Sequence, residues 1–276
     1  NCIRRRYNIG MTDLIEREVP DEQLQAIARL VQLVDTLRIH CPWDRKQTVA
    51  SLTPHLIEEC HEFADAVAKK DNENTCEEIG DLLMGAFMVA RVAQDDDSFS
   101  IVEVCDNVCE KLIRRHPHVY GEVQVADDGE VLKNWEQIKK QEKADRGEEK
   151  SALSGVPSSL PALLRAYRVG QKASNSGFDW PDLEGPTAKV EEEWAELQEA
   201  IAGGDKQRIS DEMGDMLFAL TNMARKLKIE PEMALRGTVE RFTSRFNHVE
   251  QQLGDKLGSA TLEEMDVLWD EAKSKE

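Results

Sequence analysis

The chain is poor in aromatic residues, which make up 5% of it, and poor in positive charge, with 35 lysines and arginines against 54 acidic residues. Scarce aromatics beside long Leu/Ala/Glu/Lys/Arg-rich stretches argue for helices, and no segment alternates with strand period over a useful length. The formal net charge of −19 excludes general nucleic-acid binding, because a phosphate polyanion is repelled by such a surface. No apolar run approaches membrane-spanning length, so no membrane partner is expected. The opening NCIRRRYNIG has no signal-peptide core and precedes Met11, so residues 1–10 are read as a non-native or disordered leader outside the fold. The six cysteines (Cys2, Cys41, Cys60, Cys76, Cys105 and Cys109) form no CxxC pair and leave the second half of the chain without any. That distribution excludes a disulfide framework and predicts reduced core cysteines in a cytoplasmic protein.

What is present is a repeat. Glu58, Glu59, Glu62, Glu78 and Asp81 form an EExxE…ExxD pattern, and Glu192, Glu193, Glu196, Glu212 and Asp215 form it again, each displaced by 134 residues. EEIGDLLMGAFMVAR (77–91) matches DEMGDMLFALTNMAR (211–225) at the same displacement, as Trp135 and Lys139 match Trp269 and Lys273. EKLIRRHPHV (110–119) lines up with ERFTSRFNHV (240–249), and CPWD, ending at Asp44, resembles FDWPD, ending at Asp182. The chain uses one unit twice. Residues 11–145 form the first unit and 160–276 the second, with the polar, small-residue stretch 146–159 as linker.

Each unit reads as four helices. A helix starts near Asp21, with Leu24, Ile27, Leu30, Val31 and Val34 at helical spacing. Thr53-Pro54 is expected to open the EExxE helix, which Asp71 and Asn72 end. Further helices are expected over about 75–93 and 100–115, with His116-Pro117 closing the last. The second unit repeats the scheme from Ser159-Leu160-Pro161, turning at Gly203-Gly204-Asp205. The fold class is all-α.

On a helix, residues three or four apart share a face. Glu193 and Glu196 therefore project together, as do Glu212 and Asp215, and an antiparallel turn lets the four carboxylates converge. Like charges at that density repel unless a cation sits among them, and hard oxygen ligands suit Mg²⁺, with Mn²⁺ as substitute. Glu192 is a neighbouring anchor or a base for water. An acidic helical face is usually only solvated, but its recurrence at one displacement beside an apolar run argues for a site. A di-iron bundle would require Glu-x-x-His on two helices; Glu58 to His61 has that spacing once, and Ala195 stands at the second.

The two EExxE…ExxD units, CPWDRKQT, KLIRRHPHVYG, GFDWPD and the terminal Trp-x-x-x-Lys resemble the tandem MazG-type nucleoside triphosphate pyrophosphohydrolases, over about Leu24 to Lys273. The resemblance implies an intertwined homodimer of four-helix units. It also implies Mg²⁺-dependent cleavage of NTPs and dNTPs between the α- and β-phosphates, giving monophosphate and pyrophosphate. Carried onto the second unit, it makes Glu193, Glu196, Glu212 and Asp215 metal ligands. Lys189, Arg241, Arg245, Trp269 and Lys273 become nucleotide contacts. Val239 stands where the family pattern has Asn.

A second, weaker site is expected at Glu59, Glu62, Glu78 and Asp81, with Lys111, Arg115, Trp135 and Lys139 retained. His55 replaces Lys189 there, and a neutral imidazole holds a triphosphate less well, so the second unit is expected to be the main catalytic one. Arg114, Arg115, His116 and His118 read either as a second phosphate patch or as cations at a helix C-terminus. Trp43 and Trp180 either stack on a base or plug a core edge. Alternatives to the broad hydrolase are a narrow dUTPase- or dCTPase-like enzyme and a non-enzymatic, metal-stabilised helical interaction module.

Overall fold

A computed structural model describes residues 19–145, 147 and 151–275. The expected leader at 1–10 lies outside the described residues, as do Cys2 and part of the 146–159 stretch. Every regular element among the described residues is helical, and the chain divides into two compact units, Asn1–Glu148 and Glu149–Glu276.

The first unit contains α1 (Asp21–His40), α2 (Val49–Lys69), α3 (Asn72–Asp95), α4 (Ile101–Arg115), the short α5 (Pro117–Tyr120) and α6 (Asp128–Asp145). The second contains α7 (Ala162–Ser174), α8 (Glu184–Gly203), α9 (Lys206–Lys226), α10 (Pro231–Leu253) and α11 (Leu262–Ser274). Beyond the four helices expected of each unit, each therefore carries a further long one, α6 and α11, which hold the two Trp-x-x-x-Lys segments.

The helix that carries the first acidic cluster begins earlier than Thr53-Pro54 suggested. Thr48 is its N-cap: the Thr48 hydroxyl accepts from the Ser51 N–H at 3.1 Å, and the Ser51 hydroxyl accepts from the Thr48 N–H at 2.9 Å. A reciprocal cap satisfies two donors that a helix start otherwise leaves unpaired. Pro54 consequently sits inside the helix, where its missing N–H forgoes one bond, and the Thr53 hydroxyl donates back to the Val49 carbonyl at 2.9 Å. α3 and α4 are capped by Asp71 and Ser100, the latter in a capping box with Glu103.

The α2–α3 and α8–α9 turns set the site. Lys70 takes a left-handed conformation after α2 and Asp71 caps α3 at once; Gly204 and Asp205 do the same between α8 and α9. Two-residue links leave the paired helices antiparallel and packed along their lengths, which brings EExxE opposite ExxD.

In the first unit Val34, Leu52, Met88 and Val92 form a core joining α1, α2 and α3, with Leu30, Leu37 and Phe87 packed against it. Each such buried side chain contributes roughly 1.5–3 kcal/mol relative to exposure. Ion pairs reinforce the α1–α3 contact: Arg91 to Asp35 at 2.8 Å and Arg38 to Asp95 at 2.7 Å. In the second unit Leu197, Ala200, Ala219 and Val249 are buried. The cysteines are not core residues as expected: among the described residues Cys60, Cys76 and Cys105 are exposed, Cys41 and Cys109 are intermediate, and all five are free. No described helix is long and apolar enough to cross a membrane.

Candidate active site

α8 places Lys189, Glu192, Glu193 and Glu196 on one stretch, and α9 sets Glu212 and Asp215 against it. Glu193, Glu212 and Asp215 each offer a carboxylate oxygen within 4.8 Å of the others. Glu192, Glu193 and Glu196 do the same. The four predicted ligands thus do not form one cluster. Glu193, only 5% exposed, is the member common to a triad across the two helices and a triad along α8, and Glu196 belongs to the second alone. Helical spacing put Glu193 and Glu196 on one face but could not say which of them the α9 carboxylates would meet.

Cations do not balance this charge. The Lys189 ammonium lies 2.5 Å from Glu193 Oε1 and 2.9 Å from Glu192 Oε1, and the two hydrogen bonds, that to Glu193 foremost, raise its pKa above the usual lysine range. Arg208 approaches Glu212 at 3.6 Å. A buried carboxylate beside others, with only hard oxygen donors in reach, fits a hard divalent cation better than a thiolate- or imidazole-binding metal.

The first unit repeats the arrangement. Glu59 and Glu78 come within 4.8 Å of Asp81, while Glu62 is exposed and outside that triad. Burial, then the charges of Asp81 and Glu62, push the Glu59 carboxyl above the usual glutamate range; burial, then Glu62 and Asp81, do so for Glu78. His55, in Lys189's place, lies 3.9 Å from Glu58 and packs edge-on against Trp43 with centroids 5.9 Å apart.

The remaining predicted nucleotide contacts gather elsewhere in the second unit. The Arg245 guanidinium lies 5.5 Å from the centre of the Trp269 ring, which packs on Phe242 at 5.0 Å. Arg241 donates to the Thr238 hydroxyl at 2.9 Å, Lys273 follows one turn after Trp269 on α11, and Val239 is exposed. A cleft of about 320 Å³ at the acidic triad is lined by Lys189, Glu193, Asp215, Trp180, Phe218 and Asn222. Among the described residues its lining does not include Arg241, Arg245, Trp269 or Lys273.

In the first unit the arginines of the expected phosphate patch are held by Glu142, with Arg114 Nε and Arg115 Nη2 each 2.6 Å from its carboxylate. The Arg115 hydrogen bond leads in holding that carboxyl down at about 2. Residues 28 positions apart gave no sequence signal of this pairing.

Sequence reasoning also missed a larger pocket of about 500 Å³ in the second unit, bounded by Val169, Ala173 and Phe178 and sharing Trp180, Phe218 and Asn222 with the acidic cleft. Trp180 was legible as a loop aromatic; Phe218 lay in the apolar run beside Asp215, and nothing in the sequence singled out Asn222 within the matched ExxD helix.

Comparison with known proteins agrees with the double arrangement. The profile of the MazG nucleotide pyrophosphohydrolase domain matches twice, over residues 47–120 and 184–250, the first match containing the Glu59, Glu78 and Asp81 triad and the second both triads that share Glu193. The nucleoside triphosphate pyrophosphohydrolase of Escherichia coli K12 is 38% identical over 264 residues, covering 92% of this chain and 99% of that protein. The nucleoside triphosphate pyrophosphohydrolase/pyrophosphatase MazG of Thermotoga maritima is 42% identical over 250 residues, covering 88% of this chain and 94% of its own. With two helical units, two antiparallel EExxE/ExxD pairs and relatives matched along nearly their whole length, the chain belongs to the MazG nucleotide pyrophosphohydrolase family.

Proposed function

We propose that the protein hydrolyses nucleoside triphosphates between the α- and β-phosphates, releasing a nucleoside monophosphate and pyrophosphate. The observation that carries this reading is the meeting of buried Glu193 with Glu212 and Asp215, two of which, Glu193 and Asp215, line a cleft together with Lys189. Triphosphate hydrolysis needs its oxygens neutralised, its tail held and a water oriented. Mg²⁺, or Mn²⁺ in its place, held by Glu193, Glu212 and Asp215 with Glu196 alongside, would supply the neutralising charge. Lys189 orients a phosphate oxygen once its hold on Glu192 and Glu193 is relaxed. Glu192, exposed at the rim and then free of Lys189, accepts the proton of the attacking water.

The second unit, residues 160–276 after the linker at 146–159, is the main catalytic one. In the first, Glu59, Glu62, Glu78 and Asp81 form a weaker site without a lysine at position 55. The protein acts in the cytoplasm as a homodimer. Support for the dimer lies in the apolar side chains that one chain leaves open on the site's own helices, among them Trp194, Leu217 and Phe242. A second copy also accounts for the separation of Arg241, Arg245, Trp269 and Lys273 from the acidic cleft, since a partner's α10 and α11 would bring them to it.

The test is pyrophosphate release from ATP, dUTP and dCTP with and without Mg²⁺. Release from all three is expected, and only with the metal. Release from one alone would point to a narrow house-cleaning enzyme, and none from folded dimer under any condition would leave a helical interaction module.

A further inference from the structure

The paired arginines at the end of α4 have no full counterpart in the second unit. Aligning EKLIRRHPHV with ERFTSRFNHV sets Ser244 opposite Arg114 and Phe246 opposite His116, and only Arg245 matches Arg115. The two matched arginines also differ in what they hold. Arg245 lies over the Trp269 ring, whereas Arg115 turns to Glu142 and it is the His116 ring that lies beside Trp135.

Both oxygens of Glu142 are taken up by this pairing. Arg114 Nε donates to Oε1 at 2.6 Å, and Arg115 donates to Oε2 through Nη2 at 2.6 Å and Nε at 3.2 Å. One planar monoanion therefore serves two guanidinium groups. Trp135, Lys139 and Glu142 follow one another at helical spacing along α6 and share the face turned to the end of α4. Acceptors on that face are too few. The buried Trp135 Nε1 and His118 Nδ1 have no hydrogen-bond partner among the described residues, although burying a polar nitrogen unpaired is costly and uncommon. The His116 ring lies 5.6 Å from both of those rings, and its own Nδ1 donates to the Leu112 carbonyl at 2.6 Å.

We propose that this α4–α6 corner of the first unit is a phosphate-binding site, that Glu142 occupies it as an internal substitute for the ligand, and that a phosphate group enters by displacing that carboxylate. A phosphate dianion matches two guanidinium groups in charge, where a carboxylate matches one. Its tetrahedral oxygens also supply acceptors beyond the two that Glu142 offers, which is what the unpaired ring nitrogens lack. The site needs no metal, and its residues come from α4–α6, whereas the Glu59, Glu78 and Asp81 carboxylates stand on α2 and α3. Orthophosphate, pyrophosphate and the 5′-phosphate of a nucleotide share this chemistry.

The experiment titrates the full-length protein with inorganic pyrophosphate in EDTA, where the metal-free acidic clusters repel the ligand. Glu142→Gln keeps the shape of the side chain and removes its charge. It is expected to tighten pyrophosphate binding about tenfold or more, at one site per chain, and adding Arg114→Gln is expected to reverse the gain. Arg114 is half exposed, so replacing it spares the packing. Orthophosphate and AMP separate the sources: equal tightening for all three assigns the site to a phosphate group in general, and a preference for pyrophosphate assigns it to the inorganic diphosphate. If Glu142→Gln binds no tighter than the wild type, if Arg114→Gln leaves the gain in place, or if acetate competes as well as phosphate, the proposal is overturned. Turnover enters none of these measurements, so the triphosphatase reading stands or falls separately.

Discussion

Lys70 and Gly204 occupy the same point of the two units, each the left-handed residue that ends an acidic helix, with φ of 56° and 74°. The left-handed region costs a residue bearing a Cβ about 1–2 kcal/mol, and glycine almost nothing. Lys70→Gly is therefore expected to stabilise the first unit by about 0.5–1 kcal/mol, the gain being trimmed by the greater freedom of glycine in the unfolded chain. A Cβ at Gly204 would meet nothing within 4 Å, so Gly204→Ala is expected to destabilise through φ alone, by about 1 kcal/mol. Urea unfolding midpoints at constant slope measure both; a lowered midpoint for Lys70→Gly would show that the lysine carries no strain.

Much of this turn was readable beforehand. The EExxE and ExxD spacings, the Gly203-Gly204-Asp205 break and the 134-residue repeat are local patterns, and local patterns set helix faces and ends. The start of α2 was misjudged because Thr53-Pro54 and Thr48-x-x-Ser51 are both legitimate start signals, and the reciprocal cap prevailed. Pairings such as Asp179 with Arg225, or Glu142 with Arg114 and Arg115, join residues far apart in the chain whose meeting depends on tertiary placement. The departure of Glu196 from the α9 triad has the same origin, since periodicity carries no axial register between packed helices.

Removing one carboxylate is expected to separate the two acidic sites functionally. Glu193→Gln and Asp215→Asn are expected to lower kcat/KM for ATP by about three orders of magnitude, the scale of losing transition-state charge stabilisation. Glu78→Gln and Asp81→Asn in the first unit are expected to change it by less than about threefold. Pyrophosphate release measures all four. Equal losses from both pairs would assign catalysis to both units.

The Glu142 contacts predict an acid-dependent part of the first unit's stability. The folded-state pKa is depressed to about 2, so the stabilisation is complete above the ordinary glutamate value of 4.5 and is lost as pH falls towards 2. Arg114 is half exposed, so solvent screening limits the contribution to about 1 kcal/mol at neutral pH. Glu142→Gln should lower the unfolding free energy by that amount at pH 7, with the difference from wild type closing near pH 2. A difference that stays constant across the acid range would exclude the ion pairs as its source.

Metal and assembly should be linked through the same helices. Leu217 and Phe218 lie immediately beyond Asp215 on α9, and both are exposed in a single chain, although an apolar run beside a ligand reads as core. On α10, Val239 and Phe242 are open as well. Burying such side chains against a second copy contributes about 25 cal/mol per Å², whereas a charge placed among them would have to be desolvated without a partner. Leu217→Glu combined with Val239→Glu is therefore expected to shift the protein from twice the chain mass to once in light scattering. It should also reduce pyrophosphate release with the dimer, because the cations on α10 and α11 would no longer reach the acidic cleft. The wild type should gain thermal stability on adding Mg²⁺, by about 2.7 kcal/mol at a hundredfold excess over Kd, and Glu193→Gln should lose most of that gain. A wild type that is monomeric and fully active would remove the partner's cations from the site and return the phosphate-holding role to Lys189 alone.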